Sequence, residues 1–361
     1  MDKIFFYAGG YAKPGEGGIC RYSLDPETGD CTLLSECVLL ENPSYLLRHP
    51  QKDVLYAVEE LQPEGNVVAL SVNDGELQKL CSFPTGGADP CHLSLSPEGQ
   101  FLFVSNYTSG SLAVFRLDND GVPVGRSDFV QHTMTAREKE GANPARQGSA
   151  HVHFALCDGV RVFVNDLGLD KVFVYDWDAA QGRLTGCSEQ IEFPKGSGPR
   201  HLEISEDGQY LYVFCELSVE IHVFEKDGEK WRRIQVVSAV PEEYRPSAGF
   251  SNLPHGEDLS TGAAIRIVSD DKLIVSTRGH DSFAVFRISE DGQLYGRQLF
   301  SAAGKVPRDF QVLGAFLIVA NQESGSLAVF RRNDPTDRYD LVGHVPHGGS
   351  PSCICPIPGN R

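Results

Sequence analysis

The chain has 361 residues, 41% of them hydrophobic and 22% charged, the composition of a globular protein. Its 49 acidic and 32 basic residues leave a formal charge of −17, which excludes a surface built to grip nucleic-acid phosphates. No run approaches the roughly 18 apolar residues of a membrane span, and the opening MDKIFFYAGG lacks the apolar core and cleavage site of a signal peptide. The ten cysteines are scattered and form no CxxC pair, while Cys353 and Cys355 share one face of an extended run. Reduced thiols in a cytoplasmic protein are therefore expected, in place of a disulfide framework.

In chain order, KIFFYAGG, GGICRYSLD and CTLLSECVLL read as three strands separated by turn residues. A repeat follows. NPSYLLRHPQKDVLYAVEE (42–60), DPCHLSLSPEGQFLFVSNY (89–107), SAHVHFALCDGVRVFVNDL (149–167) and GPRHLEISEDGQYLYVFCE (198–216) each carry two alternating strands around a turn. AAIRIVSDDKLIVSTR (263–278) and VPRDFQVLGAFLIVANQ (306–322) are shorter versions. Most are followed by a third strand, such as GSLAVFRLD or VEIHVFEKD, and a looser fourth, such as RRIQVVSAV.

The anchors Pro43, Pro90, Ala150, Pro199, Ala264 and Pro307 are 47, 60, 49, 65 and 43 residues apart. Four short strands recurring every 40–50 residues or so are the signature of a β-propeller blade. The final SPSCICPIP supplies a lone first strand, and the three opening strands supply the rest of a seventh blade. The expected fold is thus all-β: one domain over residues 1–361, a seven-bladed propeller of four-stranded antiparallel blades. The last blade is closed by both ends of the chain, which removes two exposed sheet edges. Residues 126–147 and 239–262 read as long loops, since the repeat resumes in phase after each. Only Trp177 and Trp231 occur, and Trp177-Asp178 is a lone instance, so the Trp-Asp pair that WD40 propellers carry in each blade does not recur.

In such a blade the first strand lines the central axis and the second runs back beside it. The start of one and the end of the other therefore reach the same mouth. Aligning the repeats places Ser44, Cys91, His151, Arg200, Ala264, Arg308 and Ser352 in one ring. A second ring holds Gly10, Glu60, Tyr107, Leu167, Glu216, Arg278 and Gln322. Arg200, Arg278 and Arg308 in a chain of charge −17 point to a site for a small anion, because guanidinium forks match carboxylate and phosphate oxygens. His151 and His153 sit two apart on one strand and are expected to share a face. His151 is the better general acid or base, beside the candidate anion binders. His92 and His201, one residue deeper, are expected to face the neighbouring sheet and read as structural, and Asp309 reads as a partner for an arginine. A metal is not expected: the rings offer only Glu60, Glu216 and Gln322 as oxygen ligands, among arginines that repel a cation.

The motifs AHVHFAL, NDLGLDKV, GPRHL, TRGHDS and PRDF…ANQ together resemble the seven-bladed propeller lactonase family, over nearly the whole chain. That family includes bacterial propeller-type 6-phosphogluconolactonase and fungal 3-carboxy-cis,cis-muconate cyclase. The cyclase branch is associated with a histidine, two arginines and a glutamate, which fall by motif on His151, Arg200, Glu216 and Arg278. The run after AHVHFAL reads Cys157-Asp158-Gly159 where the family shows Pro-Asp-Gly, a turn change without expected consequence for the site. The resemblance implies hydrolysis of 6-phospho-D-glucono-1,5-lactone in the pentose phosphate route. His151 and Glu216 would be catalytic; Arg200, Arg278, Arg308, His153, Gln322, Tyr107 and Glu60 would bind substrate. No GxSxG elbow is present, so attack by water is expected, with no cofactor and no metal. A cycloisomerase, a lactonase for another sugar acid and a non-catalytic binding propeller remain as alternatives. The expected assembly is a monomer or weak homo-oligomer.

Overall fold

The computed structural model describes all residues except 1, 14, 38, 137–142, 246–259, 334–337 and 358–361. The two expected loops are shorter than 126–147 and 239–262. Residues 126–131 belong to the strand Pro123–Gln131 and 261–262 to the strand Thr261–Ser269, because their backbones pair with the neighbouring strands. Parts of what remains lie outside the described residues. The described strands, β1 to β28 in chain order, form seven four-stranded antiparallel sheets with almost no helix. Six sheets use four consecutive strands each. The seventh places β28 (Ser350–Pro356) beside β1 (Ile4–Tyr11), followed by β2 (Ile19–Leu24) and β3 (Cys31–Cys37). In that closure Ala8 lies opposite Ile354 and Phe6 opposite Pro356. Blades are numbered 1 to 7 from Ser44, so the closing blade is the seventh.

Blade 4 explains how the sequence builds such a unit. Its β16 (Pro199–Ile204) and β17 (Tyr210–Cys215) are joined by a turn in which Gly208 has a φ of 68°, a conformation that suits a residue without Cβ. The second strand is buried on both faces. Leu211, Val213 and Cys215 pack against blade 3, and Tyr212 and Phe214 pack against blade 5. The period of two thus assigns alternate side chains to opposite neighbours. The outer strand β19 (Lys230–Ser238) instead mixes exposed and buried positions, as a blade's rim should.

Seven hydrophobic clusters result, one in each seam between neighbouring blades. The seam between blades 7 and 1 joins Tyr7, Ile19 and Cys353 to Leu46, Leu55 and Ala57. Each large side chain buried there contributes about 1.5–3 kcal/mol. No blade has a core of its own, so the ring stands or falls by closure. A chain ending at Gly349 is expected to lose the cooperative thermal transition and to aggregate on size exclusion. An unchanged transition would contradict closure by β28.

Candidate functional site

Five inner strands share a device that aims side chains at the axis. In blade 4 Pro199 pairs with Cys215 and His201 with Phe214, leaving Arg200 as the extra residue of a β-bulge. The same step isolates Cys91, Arg308 and Ser352 in blades 2, 6 and 7. A bulge turns two successive side chains to one side. Arg200 and His201 accordingly line one axial cavity with Arg308 and Asp309 from blade 6 and Ser44 and Tyr45 from blade 1.

This corrects the expectation for His201, which faces the axis and not the adjoining sheet. Arg200 donates to its Nε2 at 3.0 Å. His92 belongs to the same axial group, with ring centroids 5.6 Å from His201 and 4.6 Å from Tyr45. Burial holds both imidazoles well below their ordinary pKa, helped by nearby guanidinium charges.

The repeat alignment also slips in blade 3. There Val152 pairs with Asp166 and Phe154 with Asn165, so His153, not His151, is the bulged residue that matches Arg200. The cause is a tighter turn: residues 158–161 separate the pair Cys157–Val162, whereas residues 205–210 separate Ile204–Leu211. His151 and His153 therefore occupy two levels of the mouth. His153 is buried, its ring edge-on to Tyr107 at 5.6 Å. His151 lies above, half-buried and stacked on Tyr107 at 4.5 Å.

The placement of His151 is built from the backbone upward. Its N–H donates to the fully buried Asp166 Oδ1 at 2.8 Å, and its carbonyl accepts from Leu167 N at 2.9 Å. Gly168 lies against it: a Cβ there would stand 1.9 Å from the Ser149 carbonyl and 3.0 Å from the His151 nitrogen. The ring Nδ1 is 3.0 Å from the Tyr107 carbonyl, which can only accept, so Nδ1 carries the proton and Nε2 keeps its lone pair. Ser149 Oγ is 3.4 Å from Nε2. Burial lowers the His151 pKa from its ordinary 6.5 against the pull of the Tyr107 carbonyl and Asp166, which favours the neutral ring.

Glu216 is the electrostatic centre of the mouth. It follows β17, is 2% exposed, and its main chain ties Gly198 of its own blade to Gly262 of blade 5. Oε2 accepts from Arg200 Nε at 3.0 Å and from Arg278 Nη2 at 2.8 Å, while Oε1 accepts from Arg146. Burial alone would raise this carboxyl, but the three guanidinium groups hold it well below the usual carboxylate range. Arg200 and Arg278 also donate at 2.7 Å to the carbonyls of Ala263 and Gly262. Burial and the Arg278 charge press the Arg200 pKa down, a sign of crowded cations that an incoming anion would relieve.

The opposite wall carries a second network. Tyr11 donates to Glu60 at 3.0 Å, Ser44 donates to Glu60, and Arg308 lies over the Tyr11 ring at 5.3 Å. Arg308 also donates to Gln322 at 3.3 Å. Burial raises the Glu60 carboxyl in spite of Arg308. Asp309 pairs with Arg266 at 2.9 Å, so those two charges cancel. Among the described residues, Arg146, Arg200, Arg278 and Arg308 gather round two buried carboxylates, Glu60 and Glu216. Among the described residues, no three His, Cys, Asp or Glu side chains converge as metal ligands would.

Two participants escaped the sequence reading. Arg146 comes from the loop between blades 2 and 3, outside any repeat, so aligning blades cannot find it. Tyr11 stands one position past the second ring, and its only signal is an aromatic residue at a strand end.

This geometry can be set beside known proteins. Residues 5–356 match the family model described as a seven-bladed β-propeller lactonase. The chain belongs to that family. It is 32% identical over 365 residues to the 6-phosphogluconolactonase of Bacillus subtilis, covering 98% of each chain. A 6-phosphogluconolactonase of Formosa agariphila is 31% identical, over 91% of this chain and 92% of its own. Among solved structures, the periplasmic gluconolactonase PpgL of Pseudomonas aeruginosa has a TM-score of 0.86 at 29% identity, with 99% of each chain covered. The lactonase therefore acts on a small lactone, and no helix among the described residues is long and apolar enough to cross a membrane.

Glu216→Gln keeps the shape of the lactonase mouth and leaves three guanidinium groups without their counter-charge. It is expected to cost about 3–5 kcal/mol of stability, read as a lower melting temperature. Millimolar inorganic phosphate should restore more of that temperature in the variant than it adds to wild type. Equal melting temperatures with no phosphate response would contradict the assigned charge balance.

Proposed function

We propose that the chain hydrolyses 6-phospho-D-glucono-1,5-lactone to 6-phosphogluconate by attack of water at the propeller mouth. The observation that carries this reading is an imidazole whose Nδ1 holds its proton and whose Nε2 keeps its lone pair, beside a mouth that among the described residues gathers four guanidinium groups round two buried carboxylates. The excess positive charge favours an anionic lactone over a neutral one. The Bacillus subtilis relative's name supports the same substrate. The ten cysteines are all free thiols, which supports a reducing, cytoplasmic setting for that pathway.

His151 Nε2 accepts a proton as water oxygen bonds to the lactone carbonyl carbon. The carbonyl becomes an oxyanion, stabilised by guanidinium N–H donors already fixed in the mouth. Collapse breaks the bond from that carbon to the ring oxygen, and the imidazolium returns its proton to the departing oxygen as a hydroxyl. The new carboxylic acid then loses its proton to solvent. Arg308, across the channel from His151, holds the phosphate in this reading. Glu216 is a poor base, because three cations stabilise its charged form; its task is to hold Arg200 and Arg278 in the wall.

Freshly made 6-phosphogluconolactone, with 6-phosphogluconate dehydrogenase in excess, tests this through NADPH formation. Wild type should exceed the spontaneous rate and should prefer this lactone to neutral glucono-1,5-lactone when both are followed by acid release in weakly buffered solution. His151→Asn should lose a factor of about 10² to 10⁴. Because protonation removes the base, kcat/KM should fall on acidification through an apparent pKa below 6.5. No acceleration with either lactone would reject the proposal, and a preference for the neutral one would reject its substrate.

A further inference from the structure

The mouth takes one cationic side chain from outside the repeat. Arg146 lies in the loop that leaves blade 2 and enters blade 3, and its Nη2 bonds Glu216 Oε1 and stands 3.4 Å from the Tyr107 hydroxyl. It differs from the other two arginines on Glu216 in exposure. Its side chain is 28% exposed, against 3% for Arg200 and 8% for Arg278, both of which also donate to carbonyls of blade 5. Arg146 is thus the member of the trio that presents donors to an incoming molecule. Tyr107 connects it to the base, since the phenol hydroxyl meets Arg146 and the ring face meets His151.

The loop does not depend on this arginine for its place. Gln147 is buried and donates at 2.8 Å to both the Leu167 carbonyl and Asp170 Oδ1. Asn143 N donates to Gln147 Oε1 at 3.0 Å, and Gln147 N donates back to the Asn143 carbonyl at 2.6 Å. A turn this firmly held next to the arginine gives the guanidinium a defined direction without using the guanidinium itself.

We propose that Arg146 is a catalytic residue of the lactonase, the guanidinium that meets the oxyanion formed when water attacks the lactone carbonyl. This rests on the hydrolysis proposed above and adds the identity of the group that stabilises its transition state. Glu216 Oε1 holds the guanidinium in place beforehand, and the lactone carbonyl lies between it and His151 Nε2. A donor fixed before the reaction incurs no reorganisation when the negative charge appears. Arg308 on the opposite wall then acts on binding, while Arg146 acts on the chemical step.

Two readouts separate this from a role in holding the loop or capturing substrate. The first is the division between kcat and KM with 6-phosphogluconolactone. Arg146→Ala should lower kcat by a factor on the order of 10² to 10³, the usual cost of one oxyanion donor, and change KM less than threefold. Arg146→Lys keeps the charge, loses the fork, and should fall between.

The second readout is the acid limb of the pH profile. His151 is faced by Arg146, by Asp166 and Glu216, and by the Tyr107 ring and carbonyl; of these Arg146 is the cation. Its loss favours the imidazolium, so the limb should move to higher pH in Arg146→Ala and stay in place in Arg146→Lys. Melting temperatures of both variants should lie close to wild type; if the alanine variant does not fold, the lysine variant decides on kcat. An increase in KM at unchanged kcat, or wild-type kinetics in both variants, overturns the role of Arg146 and leaves the hydrolysis standing. A wild-type protein that accelerates neither lactone overturns both.

Discussion

One buried carboxylate organises the mouth of this propeller. Glu216 sits at the end of a strand whose other residues are all committed to the seams on either side, so its position is as fixed as the core. Three arginines converge on it from blade 4, from blade 5 and from a loop outside the repeat. Without the carboxylate, those cations would repel one another in a site nearly closed to water. With it, they are held together, and among the described residues they still outnumber the carboxylates they meet. That combination gives a chain of charge −17 a local preference for anions.

The fold supplies this through a repeated irregularity. A regular inner strand would send every second side chain into a seam and leave one set for the axis. The bulge after Pro199 and its counterparts turn an extra side chain inward, so each of several blades offers two neighbouring groups to the channel. Arg200 with His201, and Arg308 with Asp309, arise this way. Rigidity of the seams then becomes precision at the mouth, because closure of the ring fixes all seven inner strands relative to one another.

The number of blades and the shared closing blade were legible because strand alternation, turn residues and spacing all agree, and a propeller seam depends on those features. Arg200, Arg278 and Glu216 were legible because strand ends recur at fixed places in each unit. The level of His151 was not. A turn two residues tighter in blade 3 leaves the repeat's length unchanged, so equal-length alignment conceals it, and only the pairing of Val152 with Asp166 reveals the shift. His201 was misread for a related reason: strict alternation sends it outward, and the bulge reverses that. Arg146 was invisible because loops carry no period; its neighbour Gln147 fixes it by contacts that sequence spacing does not encode.

The central claim is that an anionic sugar lactone lies across the mouth between the Arg308 wall and His151. A crystal structure with 6-phosphogluconate tests it most directly. The account predicts phosphate oxygens within hydrogen-bond distance of Arg308, with the product carboxylate between His151 Nε2 and the arginines on Glu216. Product bound elsewhere on the propeller, or lying the other way round with its phosphate at His151, would contradict it.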